Sequence, residues 1–271
     1  MSERIAFIGG GNMATAIIGG LIQQGHAAQD IDVIEPVAEA RQKLNSTFGV
    51  RVHPAASADL SAAELLIWAV KPQQFKESTE SVASHTTAAL HLSVAAGIRS
   101  ESIARWLGTD RVVRAMPNMP ALIGKGISGL YARPGATAAD RTLAARALAG
   151  TGEVLWLDAE DKLDVVTALS GSGPAYVFYF MEAMTIAGTE MGLSREQAHQ
   201  LAVATFAGAS ELARASSESP QVLRQRVTSK GGTTHAAISA MENDDVRALF
   251  IDAMYAARER AKQLADEFGA E

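Results

Sequence analysis

From Arg4 to about Leu157, short apolar and β-branched runs alternate with stretches of helical period, and Arg4–Ile8, Ile31–Ile34, Leu65–Val70, Leu90–Val94 and Arg111–Ala115 read as strands. Gly126–Tyr131 and Glu153–Leu157 add late strands. Alternation of this kind predicts an α/β, doubly wound domain over residues 1–158. Its parallel sheet has helices on both faces, right-handed crossovers, and ligands at the carboxyl ends of the strands. After Asp158 the strand signals stop, and Pro174–Met191, Arg195–Ala215 and Asp245–Phe268 read as long helices of an all-helical domain over residues 159–271.

Two of these helices differ in how they must be buried. In the last one Val246, Leu249, Phe250, Ala253, Met254 and Ala257 fall on a single stripe, the signature of one buried face. In the first, Tyr176, Val177, Phe178, Phe180, Met181 and Met184 occupy most of the circumference. Such a helix needs neighbours on several sides, which predicts a partner subunit; the alternative is a central helix of a monomeric bundle.

Gly9-Gly10-Gly11-Asn12-Met13-Ala14 follows the first strand and opens a helix, the context required of a dinucleotide fingerprint. Gly9 suits the tight turn and Gly11 lets a pyrophosphate approach the backbone. Ala14 lets the helix pack on the strand, and the helix-terminal amides meet the phosphates. Packing alone is the competing explanation. Glu35 ends the second strand, where a carboxylate accepts hydrogen bonds from the adenine ribose and repels a 2′-phosphate. Equally, with Pro36 at its first position, the next helix can use Glu35 as a cap. Arg41, about a turn further on, is a candidate to rescue NADPH binding.

Ala69-Val70-Lys71-Pro72 ends the third of these strands, with Pro72 holding Lys71 out of helical geometry at the ligand edge. A solvated surface lysine is the plain alternative. Ala95-Ala96-Gly97 ends the next strand with side chains small enough for a ring or sugar to approach. Thr228-Ser229-Lys230-Gly231-Gly232-Thr233-Thr234 precedes a helix expected from about His235, and its amides and hydroxyls suit a carboxylate. Ordinary N-capping by Thr233 or Thr234 accounts for the same residues.

Composition narrows the chemistry. The 271 residues carry 24 basic and 30 acidic side chains, a net charge of -6, which provides no basic face for a nucleic acid. Cysteine is absent, excluding thiolate nucleophiles and Cys-ligated metals and suiting a cytoplasmic protein. The six histidines have no metal-ligand spacing, so no metal is expected. A strand-like run from Arg4 leaves no room for an export signal. The longest uncharged run, Val165 to Met181, is broken by Ser170-Gly171-Ser172-Gly173-Pro174 and reads as core, not membrane. That serine–glycine segment also lacks the strand of an acyl-transfer elbow.

Taken in order, Ile8–Met13, Ala69–Pro72, Ala95–Gly97, Arg114–Asn118, Leu169–Tyr176 and Gly231–Thr234 resemble the pyrroline-5-carboxylate reductases over nearly the whole chain. The segment through Pro174-Ala175-Tyr176 and the late glycine–threonine segment are the specific ones. The resemblance implies a Rossmann-type N-terminal domain and a helical dimerisation domain that interlocks two subunits, often assembled to a decamer. It also implies reduction of 1-pyrroline-5-carboxylate to L-proline by NADPH or NADH. By that resemblance Ser229 and the amides of Gly232, Thr233 and Thr234 hold the substrate carboxylate, with Gly231 and Val227 beside them, and the Thr234 hydroxyl contacts the ring nitrogen. The coenzyme falls to Ile8–Met13, Glu35, Ala69–Pro72, Ala95–Gly97, Asn118 and Glu160, and catalysis to Thr234 and Lys71. Lys230 stands where the family usually has proline, Met119 where it has threonine, and Glu35 where many NADPH-preferring members have a small polar residue. Rival readings are a β-hydroxyacid dehydrogenase or other imine reductase of the same build, and a non-catalytic NAD(P)-sensing module.

Overall fold

The computed structural model describes residues 3–269. By contact density they form two units, one running through Ser172 and resuming at Ala257, the other Gly173–Ala256. This division differs from a boundary at 158/159. Leu163 and Ala168 are buried, and a Cβ on Gly129 would come within 2.8 Å of the Val166 side chain, so the segment after Asp158 is still part of the first core.

The first unit contains β1 (Ile5–Ile8), α1 (Asn12–Gln23), β2 (Ile31–Ile34), α2 (Ala38–Phe48), β3 (Arg51–His53), β4 (Leu65–Trp68) and α3 (Pro72–Glu80). It continues with β5 (Leu90–Ser93), α4 (Ser100–Leu107), β6 (Val112–Met116), β7 (Gly126–Ala132), α5 (Ala138–Ala149), β8 (Gly152–Trp156) and α6 (Lys162–Val166). The strands pair in the order β3-β2-β1-β4-β5-β6-β7-β8. All neighbours are parallel except β6 and β7, whose connection is too short for a crossover. The order reverses at β1, which has β2 on one side and β4 on the other, so a crevice opens at their carboxyl ends. Strand alternation sends Ile5 and Phe7 into one core with Ile17, Ile18 and Leu148. Ala6 and Ile8 enter the other, with Trp68, Phe75 and Ile103. The three-residue edge strand β3, with no buried residue, gave no run long enough to be read from sequence.

The second core holds a histidine that should govern acid stability. Trp68 Nε1 donates to His91 Nδ1 (3.2 Å) and His91 Nε2 contacts Thr86 O (3.2 Å), an arrangement that fixes the neutral ring with its proton on Nε2. Burial lowers its pKa from 6.5 to about 4, Arg111 adding to that and the Thr86 bond opposing it. Unfolded chains bind this proton first as pH falls, so the stability is complete above 6.5 and declines from there down to about 4. At about 1.4 kcal/mol per pH unit the loss reaches at most about 3.5 kcal/mol. Denaturant unfolding between pH 7 and 4 should show that slope, and His91→Gln should flatten it; an equal slope in the variant would assign it elsewhere.

The helical unit comprises α7 (Gly173–Glu190), α8 (Arg195–Ala215), α9 (Pro220–Arg226), α10 (Thr233–Asn243) and the first part of α11 (Val246–Gly269). A capping box between Ser194 and Gln197 starts α8. Tyr176 and Phe180 of α7 pack edge-on against Phe250 at 5.7 and 5.6 Å between ring centres. Cover is otherwise thin: in α7 only Gly188 is fully buried among the described residues, while Phe178 is 56% and Tyr179 68% exposed. The stripe expected to be buried on α11 fares similarly, Leu249 being 64% exposed and burial reaching only Ala261 and Ala265. No helix among the described residues is long and apolar enough to cross a membrane.

Candidate active site

The glycine loop is shaped by close approach. Gly9 sits at φ +93°, and a Cβ there would stand 2.7 Å from Ala69 O; at Gly10 it would stand 2.6 Å from Leu44 Cδ1. At Gly11, the N-cap of α1, a Cβ would meet nothing within 4 Å, so the missing side chain leaves open space before the helix amides. Fully buried Ala14 seats the helix on the sheet. The cleft over the loop measures about 750 Å³ and is lined by Ile8, Gly9, Gly10, Gly11, Glu35, Ala69, Val70 and Lys71, among others. Such a cradle fits a dinucleotide phosphate.

Glu35 clasps this loop. Gly10 N donates to its Oε2 and Val37 N to its Oε1, both at 2.9 Å. Arg41 Nη1 donates to the carbonyls of Glu35 and Pro36 at 2.7 Å each. Helix α2 starts at Ala38 with Val37 as N-cap, so Pro36 precedes the helix instead of opening it. Lys71 is the extended N-cap of α3 and Pro72 its first residue, as the Lys-Pro pair implied.

Of the other residues expected at the coenzyme, Asn12, Met13, Pro72, Ala95, Ala96, Gly97, Asn118 and Glu160 are not among those lining this cleft. Asn12 and Met13 open α1 below the loop. Ala95 is buried, and its amide donates to Ser93 Oγ (3.3 Å); Ala96 follows it, and Gly97 (φ +73°) lies under Leu264 and Phe268. Asn118 Oδ1 accepts from Ile127 N (3.0 Å), closing the β6–β7 connection. Glu160 does not line the cleft: its Oε1 accepts from Ser100 N and Arg114 Nη1, its Oε2 from Ser100 Oγ, all at 2.6 Å. Burial alone would raise its pKa, but the Arg114 charge and the Ser100 bonds hold it below the usual carboxylate value. In the sequence Ser100 went unnoticed and Arg114 stood only as the start of the Arg114–Asn118 segment, with no role given to it. The available signal was an arginine inside the apolar run Val112–Met116, a charge that must find a partner once buried.

In the helical unit, Thr228 Oγ1 donates to Arg224 O (2.6 Å), Gly231 adopts φ +76°, and Gly232 N donates to Ser229 O (3.0 Å). Gly232 is the N-cap of α10, which starts at Thr233, two residues before the expected His235. Capping by Thr233 or Thr234 is thereby excluded, since both lie inside the first turn. Ala236 N reaches Gly232 O, leaving the amides of Thr233, Thr234 and His235 directed at whatever occupies the helix terminus. Among the described residues neither the Thr234 hydroxyl nor the Ser229 hydroxyl makes a hydrogen bond. Val227 ends α9 nearby and is 68% exposed, while Lys230 lies exposed within the turn.

Comparison with known proteins gives this arrangement its relatives. A family model described as pyrroline-5-carboxylate reductase dimerisation matches residues 160–264, and one described as NADP oxidoreductase, coenzyme F420-dependent, matches residues 4–97. A pyrroline-5-carboxylate reductase of Pseudomonas aeruginosa is 45% identical over 99% of both chains, and one of Escherichia coli 35% identical over 97% of this chain and 99% of that one. The solved structure of a pyrroline-5-carboxylate reductase from Coxiella burnetii superposes with TM-score 0.91 at 38% identity, covering 98% of this chain and 99% of the other. With whole-length identity, matching fold and a dimerisation region where the apolar helices lie uncovered, the chain belongs to the pyrroline-5-carboxylate reductase family.

Proposed function

We propose that the protein reduces the cyclic imine of 1-pyrroline-5-carboxylate to L-proline, the last step of proline synthesis, as a cytoplasmic reductase using either NADPH or NADH. The observation that carries this reading is the turn before α10, where three helix-terminal amides and two uncommitted hydroxyls stand together in a member of this family. These amides, with Ser229, Gly231, Gly232 and Val227 around them, take the substrate carboxylate, and the Thr234 hydroxyl takes the ring nitrogen. Bound NAD(P)H supplies the hydride. A protonated carbon–nitrogen double bond accepts it at carbon, and the π electrons neutralise the charge on nitrogen, leaving a secondary amine without further proton transfer. The protein's task is then mainly alignment, which can lower the barrier by up to about 10 kcal/mol. Lys71 contributes a positive charge at the rim of the cleft. Following NADH and NADPH absorbance with 1-pyrroline-5-carboxylate tests the reading; tight NADH binding with no imine-dependent oxidation would favour a sensing module.

The working unit is a homodimer, with further assembly to a decamer carried by the family resemblance alone. Exposed Phe178, Tyr179, Leu212 and Leu249 leave the helical unit with apolar surface that a second copy would cover. Dilution should therefore reduce activity and thermal midpoint together. A fully active monomer, measured by light scattering at assay concentration, would overturn the model.

A further inference from the structure

We propose that Glu160 is a positioning residue for the reductase reaction, holding the turn Val94–Gly97 through Ser100 and Arg114 without touching the coenzyme; this rests on the reading above. Because the strand order reverses at β1, a dinucleotide whose adenosine met Glu35 at the end of β2 would carry its nicotinamide half over the carboxyl ends of β4 and β5. The turn that leaves β5 at Ser93 would border that half, and it ends at Ser100, the first residue of α4. Whatever fixes Ser100 therefore fixes the far end of a six-residue connection.

Two constraints meet there. On one side a Cβ at Gly97 would stand 3.3 Å from Leu264 Cβ and from the Phe268 ring, so the last turns of α11 press on the turn. On the other, Glu160 takes both donors of Ser100, whose amide begins a helix and has no intrahelical acceptor. The carboxylate cannot swing away, because Arg114, 5% exposed in the middle of the sheet, holds Oε1. Apolar residues of similar volume would stabilise a core about as well as this ion pair does, so the pair is poorly explained by stability alone. Three donors converging on one carboxylate explain it as a means of setting the place of the turn.

The test compares Glu160→Gln and Ser100→Ala with the full-length wild type. Three quantities are read: NADH affinity, the fluorescence emission of bound NADH as a report on the nicotinamide surroundings, and kcat with 1-pyrroline-5-carboxylate. Glu160→Gln should lower kcat about 100-fold, the scale of a misplacement near 1 Å, while NADH affinity holds and the emission shifts. Ser100→Ala keeps the Arg114 pair and the hydrogen bond from the Ser100 amide, so it should fold even if the first variant does not, and should lower kcat roughly tenfold while the lost buried hydroxyl bond lowers the thermal midpoint by only several degrees. Loss of NADH affinity in step with kcat would mean that Glu160 touches the coenzyme and overturn the proposal, as would wild-type kcat and emission in both folded variants. A wild type that reduces no imine would instead overturn the reductase reading, with affinity and emission still reporting on the turn.

Discussion

Thr234→Ala should lower kcat/KM for imine reduction by roughly 10- to 150-fold, because a buried hydrogen bond to a charged group is worth about 1.5–3 kcal/mol. The structure sharpens this expectation. Thr234 is the second residue of α10, whose cap is the Gly232 backbone, and its hydroxyl has no partner among the described residues. Removing the hydroxyl therefore costs the helix no cap, and the thermal midpoint should stay put. NADH affinity should also survive, since the dinucleotide cradle belongs to the other unit. Imine reduction, NADH affinity and thermal midpoint measured on one preparation decide the matter. Wild-type turnover, or turnover lost only through unfolding, would remove Thr234 from the site.

Glu35→Ser should shift the ratio of kcat/KM toward NADPH by about 10- to 100-fold, equivalent to about 1.4–2.8 kcal/mol. In the wild type we expect NADH to be used at least as efficiently as NADPH, since a carboxylate at the end of β2 repels a 2′-phosphate. Because the same carboxylate holds the amides of Gly10 and Val37, the substitution should also loosen the loop and weaken both coenzymes. Only the ratio isolates the charge effect. Arg41 uses one nitrogen on the carbonyls of Glu35 and Pro36, and its remaining donors are available to a phosphate once the carboxylate has gone. A strong NADPH preference that Glu35→Ser leaves unchanged would take Glu35 out of coenzyme selection.

Most first-unit strands were readable because buried strands are short, β-branched and apolar; β8 buries no residue fully, but its apolar run was still readable, and the expected runs agree with β1, β2 and β4 through β8 to within a residue or two. Gly9 was readable for a local reason as well, since its positive φ favours glycine whatever packs around it; at Gly11 a Cβ would meet nothing within 4 Å, so that glycine suits the room a ligand needs and not the turn. The start of α10 was misjudged by two residues because a glycine cap has no side chain to announce it. Pro36 was misjudged because a proline fits equally well just before a helix and at its first turn.

Period, propensity and turn chemistry act over a few neighbouring residues, so the α/β half, the helical half, the glycine loop and the need of the Tyr176–Met184 surface for cover all stand in the linear order of side chains. Pairing across long separations is different in kind. Glu160 lies 60 positions from Ser100 and 46 from Arg114, and nothing in local sequence distinguishes a carboxylate that will meet a coenzyme from one that will bind a buried arginine. Glu35 meets Gly10 across 25 positions, and the return of α11 over Gly97 moves a unit boundary by joining distant parts of the chain. Folding settled these roles, because a buried charge goes to whichever partners the packed strands and helices bring within hydrogen-bond reach, and that is a property of the assembled core.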